Sequence, residues 1–262
     1  MPLASGKPMR FLKRIARKAK KFSSPNASIQ VVNRLPECND RLAHVKSLGF
    51  NPDVVFDCGA FIGRWAKDVN QLFPGAKLVL IEPNSEVYPQ IADHTTGFES
   101  QVTLIKAAVG ETAGTMNLNI WENPKHNNKT TALAASSLLN HVQGEATRTV
   151  AVDVQTIDDI AEQTGLKPDL LKLDLQGAEL PALKGAVRTL ESCELCIIEF
   201  GCLDAYKERT TPAQLVSFMD DRDYALYDIV DVRYRPFDGA MVGGDFFFVK
   251  RDSQLKAHRD YF

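Results

Sequence analysis

The sequence predicts an α/β domain built on a doubly wound, mainly parallel sheet, and three observations carry that expectation. Helical and strand periods alternate from residue 36 to residue 250, which calls for right-handed crossovers and a sheet covered on both faces. The run Val54-Val55-Phe56 leads into a glycine-containing turn and then a helix, the layout of a nucleotide-type site at the carboxyl end of a strand. Two closing strand patterns, Tyr224–Val230 and Phe246–Lys250, suit a hairpin that places an antiparallel strand inside the sheet.

The elements follow in order. Glu37–Leu48 has a helical pattern and stops at Gly49. Val54–Phe56 is short, apolar and β-branched, as a buried parallel strand should be. Arg64–Phe73 is a helix ended by Pro74-Gly75, Lys77–Ile81 a strand, Glu86–His94 a helix and Val102–Val109 a third strand. Met116–Trp121 and Thr147–Val152 alternate like strands of an insertion at 115–150, with the polar, loop-like Glu122–Ala146 between them. Loops that long are usually functional or disordered. Then come a helix at Ile157–Gln163, a strand at Leu170–Leu175, a helix at Ala178–Leu190, a strand at Leu195–Phe200 and a helix at Pro212–Asp220.

Composition narrows the function classes. The 262 residues are 44% hydrophobic and 24% charged, ordinary for a globular chain. No apolar run reaches the roughly 18 residues of a bilayer span. Five scattered cysteines argue against a disulfide scaffold and for a reducing cytoplasm. Residues 1–36 hold nine of the 31 Lys and Arg and no acid, so the rest of the chain has a balance of −11. A body that acidic repels phosphate backbones and excludes nucleic acid as a partner. Residues 1–30 are read as a basic arm and 31–262 as the domain. The arm lacks the apolar core of a signal peptide. Its bases interleave with Phe11, Leu12, Ile15, Ala19 and Phe22 at helical spacing across residues 7–22. Two readings stay open: contact with an anionic membrane surface, or a solvated or packed extension.

The candidate cofactor turn is Asp57-Cys58-Gly59-Ala60-Phe61-Ile62-Gly63. Gly59 lets the backbone approach a ligand and Gly63 allows tight helix–strand packing. A GxGxxG fingerprint is not met, because Asp57 stands where its first glycine would be. A carboxylate there opposes pyrophosphate, and so an NAD-dependent oxidoreductase, and suits a ligand carrying an amine or sulfonium, such as S-adenosylmethionine. Glu82, 25 residues on in Ile81-Glu82-Pro83-Asn84, is placed to accept the hydroxyls of a ribose.

These blocks resemble the FkbM-type family of S-adenosylmethionine-dependent methyltransferases over roughly residues 50–250. Phe61 departs from the smaller polar residue common in the first motif. The resemblance extends through Ala107-Ala108-Val109-Gly110, the serine pair Ser136-Ser137-Leu138 and Thr156-Ile157-Asp158-Asp159. Its most distinctive block is Leu171-Lys172-Leu173-Asp174-Leu175-Gln176-Gly177-Ala178-Glu179, continued by Leu183-Lys184-Gly185-Ala186, and Gly244–Val249 resembles the last strand. It implies the seven-stranded, Rossmann-like class I methyltransferase fold and methyl transfer to a hydroxyl, often on a sugar, glycan or natural product. The alternative is a non-catalytic binding module that kept the fold. Candidate cofactor contacts are Asp57, Gly59, Ala60, Gly63, Glu82, Asn84 and Ala108.

Transfer to a neutral alcohol needs its oxygen held in line and its proton removed. Asp174, at the end of the fourth strand of the core, is the candidate base or orienting group. Glu179 is placed either to bind a hydroxyl or to cap its helix, and Glu199 ends an apolar strand and should face the crevice rather than the core. Lys172 is placed to pair with one of these acids. Three acids at strand ends raise a divalent metal, yet no spacing demands one, and none is expected. His126 and His141 are candidate bases in the insertion, with Trp121 a stacking platform beside it. Cys193 and Cys196 read as structural, with strand alternation sending their thiols to different faces.

Overall fold

The central parallel strands are buried on both faces because helices cover both, and they are largely apolar. The computed structural model describes residues 36–98, 101–121, 136–140, 142, 147–203 and 205–257; the basic arm, His126 and His141 lie outside the described residues, as does the Trp121 side chain. Helix α1 (Cys38–Ser47) precedes β1 (Val54–Cys58), followed by α2 (Arg64–Leu72) and β2 (Lys77–Ile81). The chain continues through α3 (Tyr88–Thr95), β3 (Val102–Ile105), β4 (Ala108–Val109), β5 (Gly114–Trp121) and β6 (Thr147–Gln155). Then come α4 (Ile157–Thr164), β7 (Leu170–Leu173), α5 (Glu179–Lys184), α6 (Val187–Ser192), β8 (Leu195–Gly201), α7 (Pro212–Asp220), β9 (Tyr224–Tyr234) and β10 (Met241–Lys250).

The main sheet has seven strands in the order β3-β2-β1-β7-β8-β10-β9. All pairs from β3 to β8 are parallel, while β10 runs antiparallel to both β8 and β9. This is the seven-stranded, class I methyltransferase arrangement, with the antiparallel strand inserted as the hairpin pattern predicts. The strand order turns outward at β1, with β2 on one side and β7 on the other, and that reversal is where open α/β sheets bind ligands. One apolar cluster, including Phe56, Leu171, Ile198 and Phe248, packs under α4 to α7. Another, including Val55, Leu80, Ile197 and Phe247, packs under α1 to α3. Among the described residues no helix is long and apolar enough to cross a membrane.

Four details differ from the sequence reading. The third strand is divided: β3 ends at Ile105, the exposed Lys106 follows, and β4 leaves the main sheet to pair with β6 in a second sheet of order β4-β6-β5. The helix expected over Glu86–His94 opens as a 3-10 turn, Ser85–Val87, because the Asn84 side chain accepts the Glu86 N–H there. The helix expected over Ala178–Leu190 is two helices. Asp158 takes the Gly185 carbonyl by its backbone N–H, and its carboxylate accepts from Arg188 N, Thr189 N and Thr189 Oγ1, capping α6 as a separate element. Finally, the Cys193 and Cys196 sulfurs lie 3.8 Å apart, both buried. Cys193 precedes β8, so strand alternation does not separate the thiols.

The break between α5 and α6 is also a point of close approach. A Cβ on Gly185 would lie 2.2 Å from the Gly110 carbonyl oxygen, pinning the second sheet to the core. Gly185→Ala is expected to destabilise the protein by about 1–3 kcal/mol, as overpacking does; equilibrium denaturation with an unchanged midpoint would show that this contact yields freely.

Candidate functional site

The turn after β1 is shaped by backbone geometry before any side chain contributes. Gly59 has φ +84, and a Cβ there would sit 2.0 Å from the Asp174 carbonyl oxygen. Glycine is therefore required twice, for its left-handed backbone and for the approach of the loop after β7. The Gly59 and Ala60 N–H groups both donate to the Ile81 carbonyl, and Asp174 N donates to Cys58 O at 3.0 Å. The turns after β1, β2 and β7 are thus bonded to one another. Gly63 has φ +77, while its nearest neighbour beyond the turn is at an ordinary 3.6 Å. Its requirement is the left-handed conformation, not the tight helix–strand packing expected from sequence. Phe61 also adopts positive φ, at 49°.

Glu82 ties this turn to the second strand. Its Oε2 accepts from Phe61 N and its Oε1 from Asn84 N, both at 2.8 Å. Burial pushes its carboxyl up to about 7 against the pull of those bonds. Asn84 is buried, and its Nδ2 has no partner. Asp57 is 1% exposed and neither carboxylate oxygen accepts a hydrogen bond. Burial raises it to about 6, with Lys172 opposing the rise from 4.0 Å.

The loop after β7 carries the second set of groups. Asp174 accepts from Lys172 Nζ at 3.1 Å and from Gln176 Nε2 at 2.8 Å. Its side chain is 36% exposed, toward the cavity. Burial works to raise Asp174, but Lys172 and these bonds outweigh it and hold the carboxyl below its ordinary range. Gln176 Nε2 also donates to Glu199 Oε2 at 3.0 Å, and Glu199 Oε1 accepts from Arg233 at 2.8 Å. Burial, then the charges of Asp174 and Glu179, push Glu199 well above the carboxylate range. One amide therefore bridges two acids whose surroundings push them in opposite directions, Asp174 below and Glu199 above the ordinary carboxylate range.

These groups surround a cavity of about 480 Å³, within the usual size of a small-molecule site. Of the candidate cofactor contacts, Gly59, Glu82 and Ala108 line it, whereas Asp57, Ala60, Gly63 and Asn84 stand behind its wall. Of the candidate catalytic acids, Asp174 and Glu199 line it and Glu179 does not. Glu179 is 1% exposed, and its Oε1 accepts from Leu175 N and Gly177 N. Burial raises it to about 7. It ties the loop that presents Asp174 rather than facing the cavity. The same loop is held by Ser137, whose Oγ donates to the Gln176 carbonyl at 3.1 Å.

Sequence reasoning assigned no role to Gln176 or Arg233. Gln176 lies inside the block that singled out Asp174, but an amide there carries no signal by itself. Arg233 belongs to β9, the outermost strand, and only the pairing of β9 with β10 and β10 with β8 brings it to Glu199. Among the described residues, the potential ligand atoms that lie within 4.8 Å of one another are those of Cys38, Asp231 and Asp245 rather than those of the three strand-end acids, and Asp231 already accepts the Cys38 N–H at the start of α1.

The residues fit S-adenosylmethionine on two observations: a buried carboxylate with no hydrogen-bond donor at the turn, and an adjoining acid at the end of β2 facing the cavity. The Asp57 carboxylate, behind the wall, makes the turn favour a cationic ligand without touching it, and hydroxyls would supply donors to Glu82 in the lining. The family comparison agrees with this chemistry. A family model described as the methyltransferase FkbM domain matches residues 57–226. The methyltransferase sdnD of Sordaria araneosa is 27% identical over an alignment of 168 positions that covers 56% of this chain and 64% of that protein; the chain thus spans less than two-thirds of the curated relative it matches. Among solved structures, a precorrin-6y C5,15-methyltransferase from Geobacter metallireducens GS-15 aligns over 80% of this chain and 85% of its own, with 15% identity and a TM-score of 0.42. A magnesium protoporphyrin IX methyltransferase from Synechocystis PCC 6803, with bound SAM, aligns over 95% and 100%, with 11% identity and a TM-score of 0.42.

The buried acids set a pH dependence. Asp57 releases its proton at about 6 in the folded chain against an ordinary 3.8, so the folded state holds that proton more tightly than the unfolded state. Its effect is a loss of stability that develops as pH rises from about 4 to about 6 and persists above. Asp57→Asn should therefore raise the unfolding free energy at pH 8 by on the order of 2 kcal/mol, with the gain largely gone at pH 4. Denaturation at the two pH values checks this, and a destabilised variant at both would remove the orphaned carboxylate from the account.

Proposed function

Because the chain belongs to the FkbM methyltransferase domain family, we propose that it is an S-adenosylmethionine-dependent O-methyltransferase acting on a hydroxyl of a small molecule, sugar or glycan. The observation that carries the reading is the pair Asp174 and Glu199, bridged by the Gln176 amide at one cavity wall beside the glycine turn. The Gly59 turn and Glu82 would hold the cofactor, with the Asp57 charge behind them. When bound, it supplies a methyl carbon on a positive sulfur and leaves as S-adenosylhomocysteine.

The chain's own groups then handle the acceptor. Asp174, ionised and partly open to the cavity, accepts the hydroxyl proton. A carboxylate held below its ordinary range is a weak base, yet it suffices, because the hydroxyl proton becomes strongly acidic as the oxygen gains its new bond. Gln176 fixes the Asp174 carboxylate by donating to Oδ1, so that Oδ2 and the open face remain for Lys172 and the acceptor. Glu199, whose oxygens accept from Gln176 and Arg233, stands in the same wall and can accept from a second hydroxyl of a polyol. Its partner Arg233 closes the rim. The apolar lining from Ile81, Ala108, Val109 and Leu118 excludes water from the region between these groups.

Isothermal titration with S-adenosylmethionine and with its demethylated product tests the cofactor, and binding of neither by folded protein would refute the reading. Asp174→Asn separates chemistry from binding. Cofactor affinity is expected within a few-fold of the parent, with turnover down 10²–10⁴-fold, as for a lost general base. The measurement is the gain of one methyl group on a panel of sugar and natural-product hydroxyls, read by mass spectrometry. Unchanged turnover would take Asp174 out of the mechanism, and a folded protein that binds cofactor but methylates no hydroxyl would favour the non-catalytic module.

The basic arm supports a location at the cytoplasmic face of a membrane. Eight bases between Lys7 and Lys21 each contribute about 1 kcal/mol near an anionic surface, within a Debye length, whereas the acidic body is repelled. The full-length protein should co-sediment with anionic vesicles at low salt, and a variant lacking residues 1–22 should not while still binding cofactor. A full-length protein indifferent to such vesicles would end the membrane reading.

A further inference from the structure

Lys172 is a lysine in the interior of a parallel strand, 7% exposed. Its register partner across the β1–β7 ladder is Asp57, which places both side chains on one face of the sheet. The ammonium lies 3.1 Å from Asp174 Oδ2 and 4.0 Å from Asp57 Oδ1, with the Trp65 ring 5.5 Å away. Asp57 itself receives no hydrogen bond. A buried carboxylate is ordinarily kept charged by donors that touch it; Asp57 has instead one neighbouring cation, held by strand, ring and a second acid where it has no room to swing away.

We propose that Lys172 is a positioning residue for the cofactor, whose ammonium, shared between the acids of β1 and the β7 loop, keeps Asp57 ionised behind the cavity wall and so able to attract the cationic end of S-adenosylmethionine across it. This rests on the cofactor reading above. The groups facing the pair are acidic on nearly every side. Asp174 follows β7, Glu82 follows β2, Asp245 stands on β10 and acts on Lys172, and the Cys38 thiol on α1 adjoins both Lys172 and Asp245. Burial pulls the Lys172 ammonium down, but Asp174, Asp57 and Asp245 outweigh it and hold it above the ordinary lysine range. Lys172 therefore stays charged wherever the protein is folded near neutral pH, and Asp57 is the partner free to respond. An ordinary structural salt bridge would need only the Asp174 contact. The second approach, to an acid with no other donor, is what such a bridge leaves unexplained.

The test is cofactor binding, not turnover. S-adenosylmethionine is titrated calorimetrically into the parent protein, Lys172→Met and Lys172→Arg between pH 5.5 and pH 9. In the parent, affinity is expected to fall as pH drops through about 6, where Asp57 takes up its proton. In Lys172→Met the fall should move up by about two pH units, lowering affinity about tenfold at pH 7 and restoring most of it at pH 9. Lys172→Arg should keep the parent's profile. Glu82 titrates in all three proteins, so the displacement between them isolates Lys172. An unshifted profile in Lys172→Met, or a loss equal at every pH, overturns the inference. Absence of binding by the folded parent instead overturns the cofactor reading beneath it. Should Lys172→Met not fold, Asp57→Asn is compared with Asp57→Asn/Lys172→Met. The single variant leaves an uncompensated cation facing the cationic ligand and should bind several-fold more weakly than the double. Equal or reversed affinities would overturn the inference.

Discussion

The meeting of the β1 turn with the loop after β7 sets the geometry of everything around the cavity. The Asp174 carbonyl occupies the space a side chain at residue 59 would need, and Asp174 N bonds to Cys58 O from the same side. The backbone that carries the candidate cofactor turn and the backbone that carries the candidate base are therefore in van der Waals contact. No side-chain rotation changes the spacing between them. Catalysis by positioning needs that rigidity, since a reacting pair displaced by an ångström loses most of the advantage of being held. The β2 end joins the same assembly through Ile81 O and Glu82.

Around this contact the protein buries acids with little to neutralise them. Asp57, Glu82, Glu179 and Glu199 are all raised by burial, and each represents folding free energy withheld from the native state. Apolar packing on both sides of a seven-stranded sheet offsets that deficit. The arrangement follows a common division, in which the scaffold is consistent at every level and the site is where local rules are broken. Here the breaks include a positive φ at Phe61 and at Gln176, an orphaned carboxylate, and a lysine inside a parallel strand.

Much of this was legible in the chain. Val54–Cys58 and Lys77–Ile81 announce themselves as apolar runs bounded by glycine and proline, and the closing hairpin pattern does place an antiparallel strand in the sheet. Asp57 and Glu82 were visible because a carboxylate where glycine belongs is a chemical statement in itself. The rest depended on tertiary neighbours. Nothing local told Ala178–Leu190 that the Asp158 carboxylate would cap a fresh start after Gly185, or told Val102–Val109 that β3 would be an edge strand the chain could leave. Glu179 read equally as a hydroxyl ligand or a cap, because the choice turns on which way one buried carboxylate faces. Arg233 was invisible, since an arginine on an outer strand looks solvated until the register across three strands is known.

That register separates the protein into parts with different freedom to vary. The turns that would hold the cofactor come from β1, β2 and β7, at the middle of the sheet, where each strand is clasped by two neighbours. Arg233 comes from β9, which has a neighbour on one side only, and it lies beyond the segment 57–226 that the family model covers. The rim of the cavity can therefore be rebuilt, by altering the last hairpin, without disturbing the floor. A lineage using this fold can exchange what it accepts while keeping what it donates, because the two requirements are written in different strands.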